Sequence, residues 1–208
     1  TNPNIHVSVD PVFSLDMEDS CHMGEVLDDE NISRDKKYFV VSLRPWQYNE
    51  PGFTGKIAGV IDYIHSRYNL IPLFMPMNAM DFSVIKETIQ KINCPHVLLD
   101  KIHSVRELMG ILAHTEFAMC MRLHTLIYAV SVGVPVICLT YDPKVKYFIE
   151  YINEKSYVDT SNLDVEALKQ MVDSIMSNPQ AAKEKTSIEA ARLKELSGND
   201  AKEAIKLL

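Results

Sequence analysis

The sequence predicts an α/β fold in which a parallel sheet is covered by helices on both faces. Three observations carry this expectation. Short β-type runs alternate with helical periodicity from residue 37 to residue 152, the runs are almost continuously apolar, and helix start and stop signals fall between them. A strand buried on both faces has no reason to alternate polar and apolar residues, so continuous apolar runs point to a parallel sheet.

The expected strands are Tyr38 to Leu43, Leu70 to Met75, His96 to Leu99, Phe117 to Cys120 and Val136 to Thr140. Between them, apolar residues recur at the helical period: Ile57, Val60, Ile61, Ile64 and Tyr68; then Phe82, Ile85, Ile89 and Ile92; then Val105, Leu108, Met109 and Leu112; then Val145, Phe148, Ile149 and Ile152. Asp81, Ser104 and Asp142 stand at N-cap positions, Pro143 suits a first helical turn, and Gly133 followed by Pro135 ends the central helix. Past residue 155 a short strand, Tyr157 to Val158, leads to a helix carrying Val165, Leu168, Val172 and Ile175. An Ala/Glu/Lys-rich helix follows from about Pro179. The whole reads as a Rossmann-like three-layer arrangement.

The chain divides in this reading into two segments. Residues 1–36 hold a short strand, Ile5 to Val9, and a polar, acidic surface linker over 14–36 without sustained apolar period; residues 37–208 form the Rossmann-type domain with its C-terminal helices. The polar opening Thr1 to Asn4, running at once into a strand, suggests a cut inside a longer protein.

Bulk properties exclude several classes. With 208 residues and 47% hydrophobic content the chain can bury a full core as a single domain. A formal charge of -7 argues against a nucleic-acid partner, so any anion site must be local. Cys21, Cys94, Cys120 and Cys138 lack metal-ligand spacing and read as reduced thiols, the last three in or beside apolar runs. No apolar stretch reaches the roughly 18–20 residues of a membrane span, and no signal-peptide pattern opens the chain. A cytoplasmic location is expected.

In an open α/β sheet, ligands bind beyond the C-terminal ends of the strands. There the sequence places Arg44-Pro45-Trp46, Pro76-Met77-Asn78, Met121-Arg122-Leu123-His124 and Tyr141-Asp142-Pro143-Lys144. The third is the most informative. Arg122 and His124 open a helix, where the dipole disfavours a cation by roughly 0.3–1 kcal/mol. An anionic ligand reverses that sign, because backbone N–H groups, guanidinium and imidazole then converge on it. Taken singly, Arg122 reads as an ion pair with a nearby acid and His124 as a buried histidine; taken together at a strand–helix junction they read as an anion site. Arg44 follows a central strand and is a second candidate anion clamp, with a surface arginine as the equal alternative. Lys144 repeats the cation-at-helix-start pattern more weakly, with a solvated lysine as the alternative. Trp46 is a candidate to stack on a sugar, or else plugs the core. Asp142 is explained by capping, with a catalytic role as the lesser reading, and Asn78 and Asp81 close a turn and cap a helix. The remaining histidines have no partner at ligand spacing.

VSLRPW at 41–46, MRLHTLIYAVSVGVP at 121–135 and YDPKVKYF at 141–148 resemble the motifs of polysaccharide pyruvyl transferases, of the bacterial type that anchors surface-layer proteins; DPVFSL at 10–15 resembles the segment preceding this half. The likeness runs from about residue 7 to residue 152. It implies the C-terminal half of a glycosyltransferase-B-like fold, with phosphoenolpyruvate as co-substrate in the cleft between two halves, and no cofactor or metal. Carried over by position, Arg122 and His124 belong to the phosphoenolpyruvate site, Leu123 lines it, and Arg44 is a further contact. His124 is the expected general acid or base. The acceptor implied is a lipid-linked glycan and the product a pyruvyl ketal, which allows peripheral association with the inner face of the membrane. The missing N-terminal half is an implied partner, and this chain alone is expected to be inactive. Thr125 and Cys120 stand where the family more often has small residues. Two other readings stay open: the donor domain of a nucleotide-sugar glycosyltransferase, and a non-enzymatic sugar-phosphate-binding module.

Overall fold

The computed structural model describes residues 8–17 and 20–205, with the side chains of 20, 21 and 200–204 outside the description. Six strands form one parallel sheet: β1 (Tyr38–Ser42), β2 (Ile71–Phe74), β3 (Val97–Leu98), β4 (Thr115–Cys120), β5 (Val136–Thr140) and β6 (Tyr157–Asp159). Their order is β3-β2-β1-β4-β5-β6, and every adjacent pair is parallel. The chain therefore winds outward from β1 to β3, then returns to lay β4 against β1 and winds the other way. Val41 of β1 pairs with Phe74 on one side and Met119 on the other.

The helices are α1 (Ser20–Asp29), α2 (Phe53–Tyr68), α3 (Asp81–Ile89), α4 (Val105–Ala113), α5 (Leu123–Ser131), α6 (Pro143–Tyr151), α7 (Val165–Ser177) and α8 (Pro179–Ile205). The strands' two-residue period sorts their side chains between two cores. Phe39, Val41, Phe117, Met119 and Ile137 face α2, α3 and α7, with Phe39 and Phe117 stacked at 5.2 Å. Val40, Leu73, Ala118, Cys120 and Cys138 face α1, α4, α5, α6 and α8. All five residues of β1 and of β5 are buried, which is why neither run carries a polar alternation.

Local chemistry sets the helix ends. Ser104 accepts from Glu107 N while Glu107 accepts from Ser104 N, a reciprocal cap that starts α4. Asp142 accepts from Lys144 N at 2.9 Å and Pro143 occupies the first position of α6. After α5, Gly133 adopts φ 73°, the left-handed conformation that lets the chain turn into β5.

Three expectations need correction. The polar stretch over 14–36 holds α1, whose Met23, Val26 and Leu27 are buried and whose stripe continues to buried Glu30. Those positions follow the i, i+3, i+4, i+7 rule; acidic residues on the outer face mask it in the sequence. Second, Asp81 is not the cap of α3. Met80 holds that position, and Asp81 is the first helical residue, fully buried, its carboxylate accepting from Met77 N at 3.0 Å and Asn78 N at 3.1 Å. Asn78 does close the turn, accepting from Met80 N at 3.0 Å. Third, residues 8–10 have no regular structure; the rest of the expected Ile5 to Val9 strand lies outside the described residues. At the sheet's edge β3 shrinks to two residues, and β4 starts at Thr115, two residues before the apolar run does.

Candidate anion-binding site

The strand order reverses between β1 and β4, and the crevice beyond their C-terminal ends is where ligands bind in such sheets. Arg44 leaves one of these strands and Arg122 the other. The strand ends are tied together: Met121 N donates to Ser42 O at 2.7 Å, and the Ser42 and Thr125 hydroxyls, both fully buried, hydrogen-bond at 3.0 Å. Thr125 thus pins the first turn of α5 to β1.

Arg122 is the N-cap residue of α5, in extended conformation, and its side chain does not cap the helix. Instead its Nε donates to Asp81 Oδ2 at 3.0 Å and its Nη2 to Asp81 Oδ1. The ion pair foreseen for Arg122 taken alone therefore exists, but it leaves the side chain 19% exposed, lining an open cleft. Among the described residues the N–H groups of the first turn of α5 receive no side-chain acceptor, so both they and the dipole are available to an anion.

Arg44 leans the opposite way. Its Nη1 donates to the Tyr141 hydroxyl at 2.7 Å, and its Cζ lies 4.5 Å from the Tyr141 ring centre and 5.2 Å from that of Trp46. Its Nε is buried without a partner. Two aromatic rings and a neutral hydroxyl hold this cation; among the described residues no carboxylate pairs with it. Lys144, in the first turn of α6, is exposed and its ammonium likewise makes no ion pair there. His124 is 57% exposed, 3.8 Å from Asp10 and tilted over Tyr128 at 6.0 Å. It is not the buried histidine that its apolar surroundings suggest.

Arg44, Arg122, Leu123, His124 and Lys144 line one open cleft of about 360 Å³, together with Asn78 and Tyr141. Trp46 does not line it; it packs edge-on against Tyr141 at 5.1 Å and braces Arg44 from behind. Asp142 faces a neighbouring hollow beyond Tyr141 and caps α6. Sequence reasoning missed Tyr141, Tyr128 and Asp81, and gave Asn78 only a turn. Position was the available signal for Asn78 and Tyr141, since both lie in the turns that follow strands at the same sheet edge. Among the described residues no cluster of His, Cys, Asp and Glu has metal-ligand geometry, and no helix is long and apolar enough to cross a membrane.

Solved structures share the architecture. The chain superposes on UDP-GlcNAc 2-epimerase from Neisseria meningitidis with TM-score 0.63 and 13% identity, covering 89% of this chain and 48% of that one. It superposes on the family 9 glycosyl transferase from Veillonella parvula with TM-score 0.55 and 13% identity, covering 85% and 55%. For WaaG, a glycosyltransferase involved in lipopolysaccharide biosynthesis, the values are 0.58, 13%, 93% and 54%. The chain thus spans about half the length of these proteins, and at such identities the likeness establishes the fold, that of glycosyltransferase-B enzymes and epimerases. No curated protein matches it by sequence. The family model for polysaccharide pyruvyl transferase matches residues 1–143, from before the 3₁₀ turn at Pro11–Ser14 through both arginine-bearing strand ends to the start of α6. The chain belongs to the polysaccharide pyruvyl transferase family.

Proposed function

We propose that this chain supplies the phosphoenolpyruvate-binding side of an enzyme that transfers a pyruvyl group to a sugar of a cell-surface polysaccharide, forming a pyruvyl ketal. The observation that carries the reading is the convergence of Arg44, Arg122, Lys144 and His124 on one cleft at the strand-order reversal of a net-negative chain. Phosphoenolpyruvate presents a phosphate and a carboxylate, which suits two guanidinium groups and an uncapped helix start.

The chemistry follows from the groups present. Ketal formation requires a proton on the methylene carbon, which makes the adjacent carbon electrophilic. One sugar hydroxyl adds there, the C–O bond to phosphate breaks, and a second hydroxyl adds in its place. The two hydroxyl protons balance the new C–H bond and the released phosphate. His124, exposed at the cleft, is the group placed to carry a proton, while Arg44 and Arg122 hold the anionic charges and stabilise the departing phosphate. Leu123 and Tyr128 supply apolar wall.

The other side of the cleft would come from an N-terminal half, and the acceptor would be a lipid-linked glycan met at the inner face of the membrane by an otherwise cytoplasmic enzyme. This chain alone would be inactive. The fold's similarity to glycosyltransferases favours a second reading, a nucleotide-sugar donor domain. Calorimetric titration separates them: phosphoenolpyruvate should bind and UDP-sugars should not, whereas the reverse would abandon pyruvyl transfer. In the full-length protein, His124→Ala should lower turnover by roughly 10²–10⁴ with phosphoenolpyruvate binding retained. Unchanged turnover would remove His124 from the chemistry.

A further inference from the structure

The two cationic groups that leave the central strands cross over. Arg44, from β1, reaches toward the end of β5 to meet Tyr141, and Arg122, from β4, reaches toward the end of β2 to meet Asp81. The cleft therefore has two ends, Asp81, Asn78 and Arg122 at one, and Arg44, Tyr141 and Lys144 at the other. They differ in net charge. At the first, the fully buried Asp81 carboxylate cancels the formal charge of Arg122, and the α5 N-terminus adds only about half an elementary charge. At the second, Arg44 and Lys144 bring two cations; the partner of Arg44 is a neutral hydroxyl, and the one carboxylate nearby, Asp142, accepts the backbone N–H of Lys144 and faces the neighbouring hollow, so the cleft keeps a net positive charge there. His124 stands 3.8 Å from the Asp10 carboxylate and so does not add an uncompensated cation to the first end.

We propose that this asymmetry fixes the direction in which a two-headed anion lies: the doubly charged phosphoryl group against Arg44 and Lys144, and the singly charged carboxylate against Arg122, Asn78 and the first turn of α5. Beside Arg122, attraction to the guanidinium and repulsion from Asp81 grow together with the ligand's charge and largely offset, whereas at the far end a second charge doubles the attraction to a net-positive site. Geometry agrees. Asp81 occupies Nε and Nη2 of Arg122, leaving Nη1 without a hydrogen-bond partner among the described residues. Asn78 accepts from Met80 N through Oδ1, which leaves its amide N–H groups for a ligand. Neutral and charge-compensated donors of this kind match a carboxylate's two oxygens. In this arrangement Asp81 is a positioning residue, joining the turn after β2 to the start of α5.

The inference rests on the phosphoenolpyruvate reading and is tested by splitting that molecule into its heads. Binding of phosphoenolpyruvate, inorganic phosphate and pyruvate to the chain is measured by calorimetry or by ligand-detected magnetic resonance, for the native sequence and for Arg44→Met and Arg122→Met. Arg44→Met should weaken phosphoenolpyruvate and phosphate by about tenfold or more and leave pyruvate within about twofold; Arg122→Met should weaken phosphoenolpyruvate and pyruvate and spare phosphate. The opposite pattern, or equal losses for both heads, overturns the orientation while leaving phosphoenolpyruvate as the ligand. Failure of the native chain to bind any of the three overturns both. A variant-free measurement covers the case of poor folding: in a crystal of the native chain with phosphoenolpyruvate, phosphorus should lie nearer Arg44 Cζ than Arg122 Cζ, and the reverse placement sinks the proposal.

Discussion

Asp81 and Arg122 meet in a two-point ion pair that spans 41 residues of sequence and places a fully buried carboxylate behind a guanidinium at the mouth of the cleft. The same carboxylate accepts two backbone N–H bonds, so its removal leaves four donors without an acceptor. Breaking such a pair from one side costs about 3–5 kcal/mol, and the partial exposure of Arg122 places Asp81→Ala toward the lower figure. Urea unfolding of that variant should show the loss, and the double variant Asp81→Leu with Arg122→Met should be the more stable of the two. Equal stabilities would mean that the pair is not coupled.

The thiols offer a probe of the core. Burial pushes Cys120 well above the ordinary thiol range and Cys138 up to about 12; burial, with Asp62 beside it, takes Cys94 to about 11. Only thiolate reacts with disulfide reagents, so at neutral pH these three cysteines should be inert until the sheet opens. In a Cys21→Ser background, labelling rates measured against denaturant should follow global unfolding. Fast labelling of Cys120 or Cys138 in native conditions would contradict the packing of β4 on β5.

Two carboxylates tie α8 to the body. Glu116 binds Lys183 and Lys37, and Glu154 binds Lys185 and accepts from Ser156 and from Lys155 N. Burial works to raise both, but the lysine partners and hydrogen bonds prevail and hold them below the ordinary glutamate value of 4.5. Groups depressed in the folded state contribute stability above their unfolded value and lose it as pH falls through the folded one. Stability should therefore decline below about pH 4.5, with Glu116→Gln flattening the decline. Thermal unfolding between pH 3 and pH 6 measures it, and an unchanged slope in the variant would remove Glu116 from the account.

Gly110 is where α1 seats on α4. A Cβ there would meet the Met23 sulfur, the flexible end of a side chain that borders an open hollow and can shift only by giving up part of its packing. Gly110→Ala should cost about 1 kcal/mol or less, because the overpacked contact with Met23 is offset in part by the roughly 0.8–1 kcal/mol that alanine gains over glycine inside a helix. Met23→Ala in the same chain should recover part of that loss, and additive losses in the double variant would argue against the seat.

Most of the sheet was legible because burial on both faces leaves an unbroken apolar run, and Tyr38 to Leu43 or Val136 to Thr140 permit hardly any other reading. The cationic cleft was legible in part, since residues that follow central strands must lie at one edge. What escaped depends on distant contact. Asp81 has the sequence context of a helix cap, and only folding brings Arg122 within reach to claim it. Tyr141 reads as an ordinary residue after a strand until Arg44 arrives across the edge. The α1 stripe was hidden for another reason: its buried Met23, Val26 and Leu27 are interleaved with Glu25, Asp28 and Asp29, which face water.

The reversal between β1 and β4 also bears on synthesis. As the chain emerges, β1, β2 and β3 can assemble from residues 38–98, yet one whole edge of β1 waits for residues 115–120. Until then the ribosome presents an apolar ribbon of unpaired amides, the kind of surface that recruits chaperones or other nascent chains. Polypeptides that stall or are cut short before Cys120 should clump, whereas those released just after β5 should already have the most vulnerable seam closed.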